Sequence, residues 1–311
     1  MYWRTVRFIF VGPYGVRAGW RLCVFGVVLL ILLLITACGM VLSRVRPPDL
    51  GSGAAMPIPV IIIEGISAFD AITATVLSWL VFNRDRTWAR LGFPLTGVDI
   101  KQAIPGFAVG MGTLVLLVLA QAGAGAMHIR LDAARDSALF GLGWLAAHCL
   151  VAVFEEVLSR GYFLSTLSDG IGFWPAAGLS SLGFGALHLG NPGESWLGIL
   201  GTVAMGLVLC LAVRRTGTLW LGIGIHAGWN WAESYLMGAL NSGTASVGHL
   251  FTVTPHGWQW LSGGAAGPEG SALGPPIVGL IALIIHRCWP MVRFLTAREA
   301  EVRAFSAVSP A

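Results

Sequence analysis

Charge is scarce in this chain. Asp, Glu, Lys and Arg make up 11% of its residues, under half of the ~25% usual for soluble domains. Lysine occurs once, at Lys101. This scarcity excludes a soluble domain on a single anchor. There is no basic face interleaved with aromatics, so a nucleic-acid partner is not indicated. The five cysteines, Cys23, Cys38, Cys149, Cys210 and Cys288, include no C-x-x-C pair, which argues against a disulfide framework or a thiolate zinc site. No H-E-x-x-H ligand set is present. The absence of an internal repeat leaves little support for two matching transporter halves.

Long apolar runs are plentiful, with 56% of residues hydrophobic over 311 positions. A membrane helix needs about 20 mostly apolar residues. Eight segments meet that requirement, at 22–43, 58–82, 103–126, 138–164, 174–191, 196–213, 217–238 and 273–292. The expected fold class is therefore all-α, a polytopic bundle of about eight transmembrane helices. The run at 23–43 is too long for the core of a cleavable signal and reads as a first span. Arginines before the first span, between spans 2 and 3, between 6 and 7 and after the last predict cytoplasmic N- and C-termini in the cell membrane. Residues 239–272 contain no Lys or Arg and read as an irregular non-cytoplasmic loop. The expected division is a cytoplasmic segment 1–21, N-terminal spans within 22–136, a core at 137–238, that loop, and a last span with cytoplasmic tail over 273–311.

Ionisable groups within the spans need a partner or a task, since a charge at membrane depth costs roughly 2.5–3.5 kcal/mol. Three clusters stand out: Glu155 and Glu156 with Arg160 in span 4, His188 in span 5, and His226 with Asn230 in span 7. Glu156 and Arg160 are spaced i,i+4 and can pair on one face. Glu155 is rotated by about 100° from its neighbour, so it is assigned to the bundle interior. A carboxylate, two imidazoles and an amide from three helices could surround one water. The glutamate would serve as general base and the amide as an oxyanion donor. Taken singly, a membrane histidine or asparagine is more often an interhelical hydrogen-bond partner. It is the grouping of these residues in nearby spans that points to hydrolysis of an amide bond. Among the other ionisable groups, Glu64 and Asp70 could face a pore or the bundle, and His148 could neighbour Glu155. Glu233 reads as a rim residue and Glu269 as a loop residue.

The ordered trio Glu155-Glu156-x-x-x-Arg160, Phe184-x-x-x-His188 and His226-x-x-x-Asn230 resembles the CPBP family of intramembrane proteases. That family takes in type 2 CAAX prenyl endopeptidases and bacterial Abi and bacteriocin-processing proteins. The resemblance spans about residues 140–235. It implies a helical core with a water-accessible cavity, in which Glu155 activates the attacking water and His188 helps hold it. His226 and Asn230 would stabilise the oxyanion, and Glu156 with Arg160 would form a supporting ion pair. It also leaves room for a divalent metal such as zinc on His188 and His226. The partners it implies are the lipid bilayer and a membrane-associated protein or peptide substrate, prenylated or not. The rival expectations are a non-catalytic membrane scaffold or immunity protein and, further off, a proton-linked transporter.

Overall fold

The computed structural model describes residues 10–12, 15–44, 55–83, 88–132 and 137–308. The architecture is a helical membrane bundle. Helices α1 (Ala18–Leu42), α2 (Pro57–Phe82) and α3 (Ala103–Gly123) come first. Next is α4 (Ser137–Glu156), which passes through a widened π segment, Val157–Phe163, into α5 (Leu164–Ile171). They are followed by α6 (Phe173–Leu187), α7 (Trp196–Thr216), α8 (Trp220–Trp231), α9 (Gly274–Cys288) and α10 (Ala297–Val308). Five helical stretches among the described residues are long and apolar enough to cross a membrane: α1, α2, the stretch ending in α3, the α4–α5 stretch and α7.

Local chemistry sets these ends. Helix α2 opens on Pro57 after an extended Met56, where the missing proline N–H is one the helix would leave unbonded anyway. The side chain of Ser195 accepts the N–H of Gly198 at 3.0 Å and caps α7, and Gly217, at φ 75°, ends it in the left-handed conformation. Three predicted spans come out shorter than their apolar runs. Helix α6 stops at Leu187 because His188 caps it ahead of the turn through Gly190, Pro192 and Gly193. Helix α9 stops at Cys288, before Trp289-Pro290. Helix α8 gives way at Ala232 to a π turn ending at Leu236. The fourth span, by contrast, runs past its predicted end at 164 to Ile171, because the chain bends at Gly161 without breaking.

The loop at 239–272 is more ordered than its composition implies. Strand β2 (Phe251–Pro255) pairs antiparallel with β1 (Met127–Leu131), which comes after α3. Short helical turns occupy Gln259–Ser262 and Pro268–Gly270. The tail also carries a helix, α10, joined to the bundle by Arg214 and Glu299 at 2.6 Å. A single helical turn at Trp88–Leu91 and a short helix at Gly97–Ile100 precede α3.

The core centres on α8, which lies against α3, α4 and α7. Its approach to α3 is made by glycine on both sides. A side chain at Gly106 or Gly110 would run into the backbone of Leu221 or Ile225, and one at Gly224 or Gly228 into that of Ala103 or Phe107. Two facing G-x-x-x-G stretches thus bring the backbones together, as small residues do where lipid supplies no hydrophobic drive. Bulky groups then close over the seam, with Leu114, Leu117, Ile225 and Trp229 in one buried cluster.

Candidate active site

Helix α4 delivers Glu155 and Glu156 just before the π segment begins at Val157. The extra residue in a π turn rotates the side chains beyond it, and such turns are frequent at functional sites. Here it places Arg160, Gly161 and Tyr162 inside the protein. The Nη1 atom of Arg160 donates to Oε1 of Glu156 at 3.1 Å, and both side chains are fully buried. The guanidinium carbon lies 4.3 Å from the centre of the Phe184 ring, a cation–π contact that helps a buried cation. Gly206 of α7 makes room for it: a β-carbon there would sit 2.9 Å from Arg160 Nη2.

Helix α8 brings His226 to the same carboxylates. Its Nδ1 lies 3.1 Å from Glu156 Oε1, and its Nε2 lies 3.6 Å from Glu155 Oε2. Since a carboxylate accepts, Nδ1 carries the proton of the first contact, which fixes the ring and directs Nε2 to Glu155. The second distance exceeds a direct hydrogen bond but suits an ion pair. Glu155 Oε2 has no hydrogen-bond partner of its own. Helical spacing separates these two acids into a paired one and an interior one; the imidazole of His226 joins them again.

His188 sits at the end of α6. Its Nδ1 donates to the carbonyl of Phe184 at 2.8 Å, leaving Nε2 for another contact. The Phe184 ring is shared, 4.7 Å from the His188 ring and 6.1 Å, edge-on, from that of His226. Glu155, His188, His226 and Asn230 all line one cavity of about 560 Å³, within the range of small-molecule and peptide sites.

Among the other ionisable groups, Glu64 and His148 fall where their sequence readings put them, and Glu233 and Glu269 do not. Glu64 lines the same cavity, whereas Asp70 accepts from Thr36 of α1 at 2.7 Å and is not among the lining residues. His148 lines the cavity, is 6% exposed, and lies 5.4 Å from the Trp144 ring in a stacked pair. Glu233 is not at a rim; it is fully buried, because the loop after α8 folds over it. Glu269 is more than a loop residue. It reaches the cavity, and its Oε1 accepts from both N and Oγ of Ser242 at 3.0 Å. Burial pushes its carboxyl above the usual carboxylate range, against the pull of the Ser242 bonds and of His188. The apolar sequence around Gly-Pro-Glu-Gly carries no signal of this contact beyond the isolated acid.

A resident metal needs three or more protein donors around one point. Among the described residues, no group of three His, Cys, Asp or Glu side chains is placed to hold one. The Nδ1 atoms of His188 and His226 are both already bonded. This leaves the Nε2 atoms of the two imidazoles, fewer than the three protein donors of a resident site.

Comparison with known proteins bears on the same part of the chain. No curated protein and no solved structure gives a match. A family model described as Type II CAAX prenyl endopeptidase Rce1-like matches residues 137–232. That segment begins with α4 and closes at the end of α8, so it contains Glu155, Glu156, Arg160, His188, His226 and Asn230. With the three motifs and the cavity they line, residues 137–232 make up a domain of the Rce1-like, type II CAAX prenyl endopeptidase family.

Proposed function

We propose that this protein is an intramembrane endopeptidase that cleaves peptide bonds of membrane-associated substrates with a water activated by Glu155. One observation carries the reading: His226 is set between Glu155 and Glu156, at 3.6 and 3.1 Å, on the wall of a cavity that also holds His188 and Asn230. The family matched by this domain supports membrane proteolysis in general.

Glu155 takes a proton from water as the water oxygen attacks the scissile carbonyl carbon. His188 holds that water through Nε2. The carbonyl π electrons move onto oxygen, and the oxyanion receives hydrogen bonds from the Asn230 amide and from His226 Nε2–H. To donate through both nitrogens His226 is an imidazolium; Glu156 answers the charge of Arg160, and the charge of His226 is matched by Glu155 and, once Glu155 has taken the proton, by the oxyanion. The C–N bond then breaks, and Glu155 returns its proton to the leaving amine. Atoms and protons balance without a cofactor, and no step passes through a metal.

The test compares membranes bearing the wild type with membranes bearing Glu155→Ala, by mass spectrometry of released peptides. Peptides that appear only with the wild type, at equal amounts of inserted protein, support the reading. Identical peptide profiles sink it and favour a non-catalytic scaffold.

A further inference from the structure

The ends of α7 and α9 bring basic groups together, away from the cavity. Helix α7 finishes with Arg214 and Arg215, and α9 finishes with His286 and Arg287. The backbone N–H of Arg293 donates to the carbonyl of Arg214 at 3.1 Å, so the chain after α9 returns to the end of α7. The two neighbouring arginines are used differently. Arg214 is neutralised by Glu299, which accepts from both of its terminal nitrogens. Arg215 donates instead to neutral groups, through Nη1 to the Pro290 carbonyl and through Nη2 to Nδ1 of His286 at 2.7 Å.

An arginine can only donate, so the His286 ring accepts at Nδ1 and carries its proton on Nε2. These contacts hold the Arg215 fork in place and leave one N–H on each terminal nitrogen. Arg287 and Arg293 are exposed. Among the described residues, none of Arg215, Arg287 and Arg293 has a carboxylate partner. Three positive charges and an imidazole N–H are thus gathered without an anion. Like charges brought together repel, and a bound anion offsets that cost.

A second feature says what kind of anion fits. Apolar surface adjoins the cluster on both sides. Leu283, one turn before Arg287, is 50% exposed, and Met291 is 63% exposed. Between them lies Trp289, partly buried, a residue type that favours the level of lipid headgroups. Helix α9 is itself apolar. A soluble anion makes no use of that surface, whereas a phospholipid meets both parts, with its phosphate on the donors and its chains along the helix. Basic pockets at the ends of membrane helices are places where anionic headgroups bind. The arginine distribution predicts that this end is cytoplasmic, where the leaflet is rich in anionic lipid.

We infer that Arg215, His286, Arg287 and Arg293 form a site for the phosphodiester headgroup of an anionic phospholipid, whose acyl chains lie along α9. The site is separate from the candidate active site and does not depend on the peptidase reading. A lipid seated there joins the ends of α7 and α9, and it stabilises the folded protein by mass action.

The experiment uses the full-length protein in detergent, with phosphatidylglycerol and phosphatidylcholine of identical acyl chains as probes. Retained lipid is counted by native mass spectrometry, and stability is read by thermal unfolding with and without lipid. We expect phosphatidylglycerol to be retained in preference to phosphatidylcholine and to raise the melting temperature. Arg287→Gln and Arg293→Gln, both at exposed positions, should each weaken phosphatidylglycerol binding about fivefold and leave phosphatidylcholine binding and the lipid-free melting temperature unchanged. The double variant Lys101→Gln, Arg303→Gln removes two charges elsewhere and should keep the preference. Glycerol phosphate at the concentration of the lipid should not displace it, since it lacks the chains. The inference is overturned if wild type shows no preference, if Arg287→Gln and Arg293→Gln bind phosphatidylglycerol as wild type does, or if the double variant loses as much as they do, which would make net charge alone responsible. Displacement of the lipid by glycerol phosphate would overturn it too and assign the cluster to a soluble anion.

Discussion

Oε1 of Glu156 lies 3.1 Å from Nδ1 of His226, a contact between residues 70 positions apart. The same oxygen accepts from Arg160 Nη1. Glu156 is thus the joint between the ion pair on its own helix and the imidazole from α8, while Glu155 is left to face the cavity. The two neighbouring acids should therefore fail in different ways when altered.

Glu155→Gln should abolish cleavage and leave the fold intact, because Glu155 Oε2 has no hydrogen-bond partner to lose. Removing a general base costs typically 10²–10⁴-fold in rate. Glu156→Gln should lose both activity and stability, since it leaves a fully buried Arg160 without its counter-charge. Breaking a buried pair on one side costs about 3–5 kcal/mol. Thermal unfolding in detergent, run beside a cleavage assay, separates the two. Equal melting temperatures for the two variants would contradict the division of labour.

The seam between α3 and α8 makes a prediction about a distant position. Gly110→Ala places a methyl group against the backbone of Ile225, the residue before His226. Overpacking of this kind costs typically 1–3 kcal/mol. It should displace α8 from α3 and disturb the contact of His226 with Glu155, so activity falls although every catalytic candidate is intact. Gly112→Ala is the control, because a β-carbon there meets nothing. Parallel stability and activity measurements on the two variants decide the matter.

Much of this architecture is legible in the residues and some is not. The Glu156–Arg160 pair is readable because i,i+4 spacing is a local geometric fact. The grouping of Glu155, His188, His226 and Asn230 is readable as a motif, although nothing local shows that His226 bridges both acids. The facing glycines lie in view as Gly106-x-x-x-Gly110 and Gly224-x-x-x-Gly228. Their meaning, however, depends on which helices meet. Glu233 reads as a rim residue because its burial is conferred by the loop that folds back after α8. Strand β2 escapes a sequence reading because its pairing with β1 joins residues at least 120 positions apart, and five-residue strands carry little pattern. Span lengths err where a turn residue or a π segment overrides an apolar run, as at His188 and Ala232.

Metal removal should have no effect on the proposed reaction. No three-donor group is present among the described residues, and the mechanism moves its proton through Glu155 alone. Dialysis against EDTA and phenanthroline should leave the cleavage rate unchanged, and metal analysis of the purified protein should give well under one zinc per chain. A chelated protein that is inactive and recovers with zinc, but not in a His226→Ala variant, would return His188 and His226 to the role of ligands.

The last prediction concerns acid and the tail. Glu299 binds Arg214 through both carboxylate oxygens, at 2.6 and 2.7 Å, and Arg214 also donates to the Phe294 carbonyl. The Arg214 hydrogen bonds, assisted by Thr296, hold the Glu299 carboxyl at about 2, below its ordinary 4.5. A carboxylate with a depressed folded value binds fewer protons folded than unfolded. Its contribution is therefore complete above about pH 4.5 and is lost as pH falls through about 2. The Glu299 side chain is 41% exposed, so solvent screening holds the effect to about 0–1 kcal/mol, enough to loosen α10 without unfolding the bundle. Hydrogen exchange of the α10 amides should rise in the wild type between those pH values while α8 stays protected. In Glu299→Gln the α10 amides should exchange fast already at pH 6, and acid should add little. Equal protection of α10 in the two proteins at pH 6 would show that the tail is held by its other contacts, of which the Ala297 N–H to Asp169 at 2.8 Å is the first to examine.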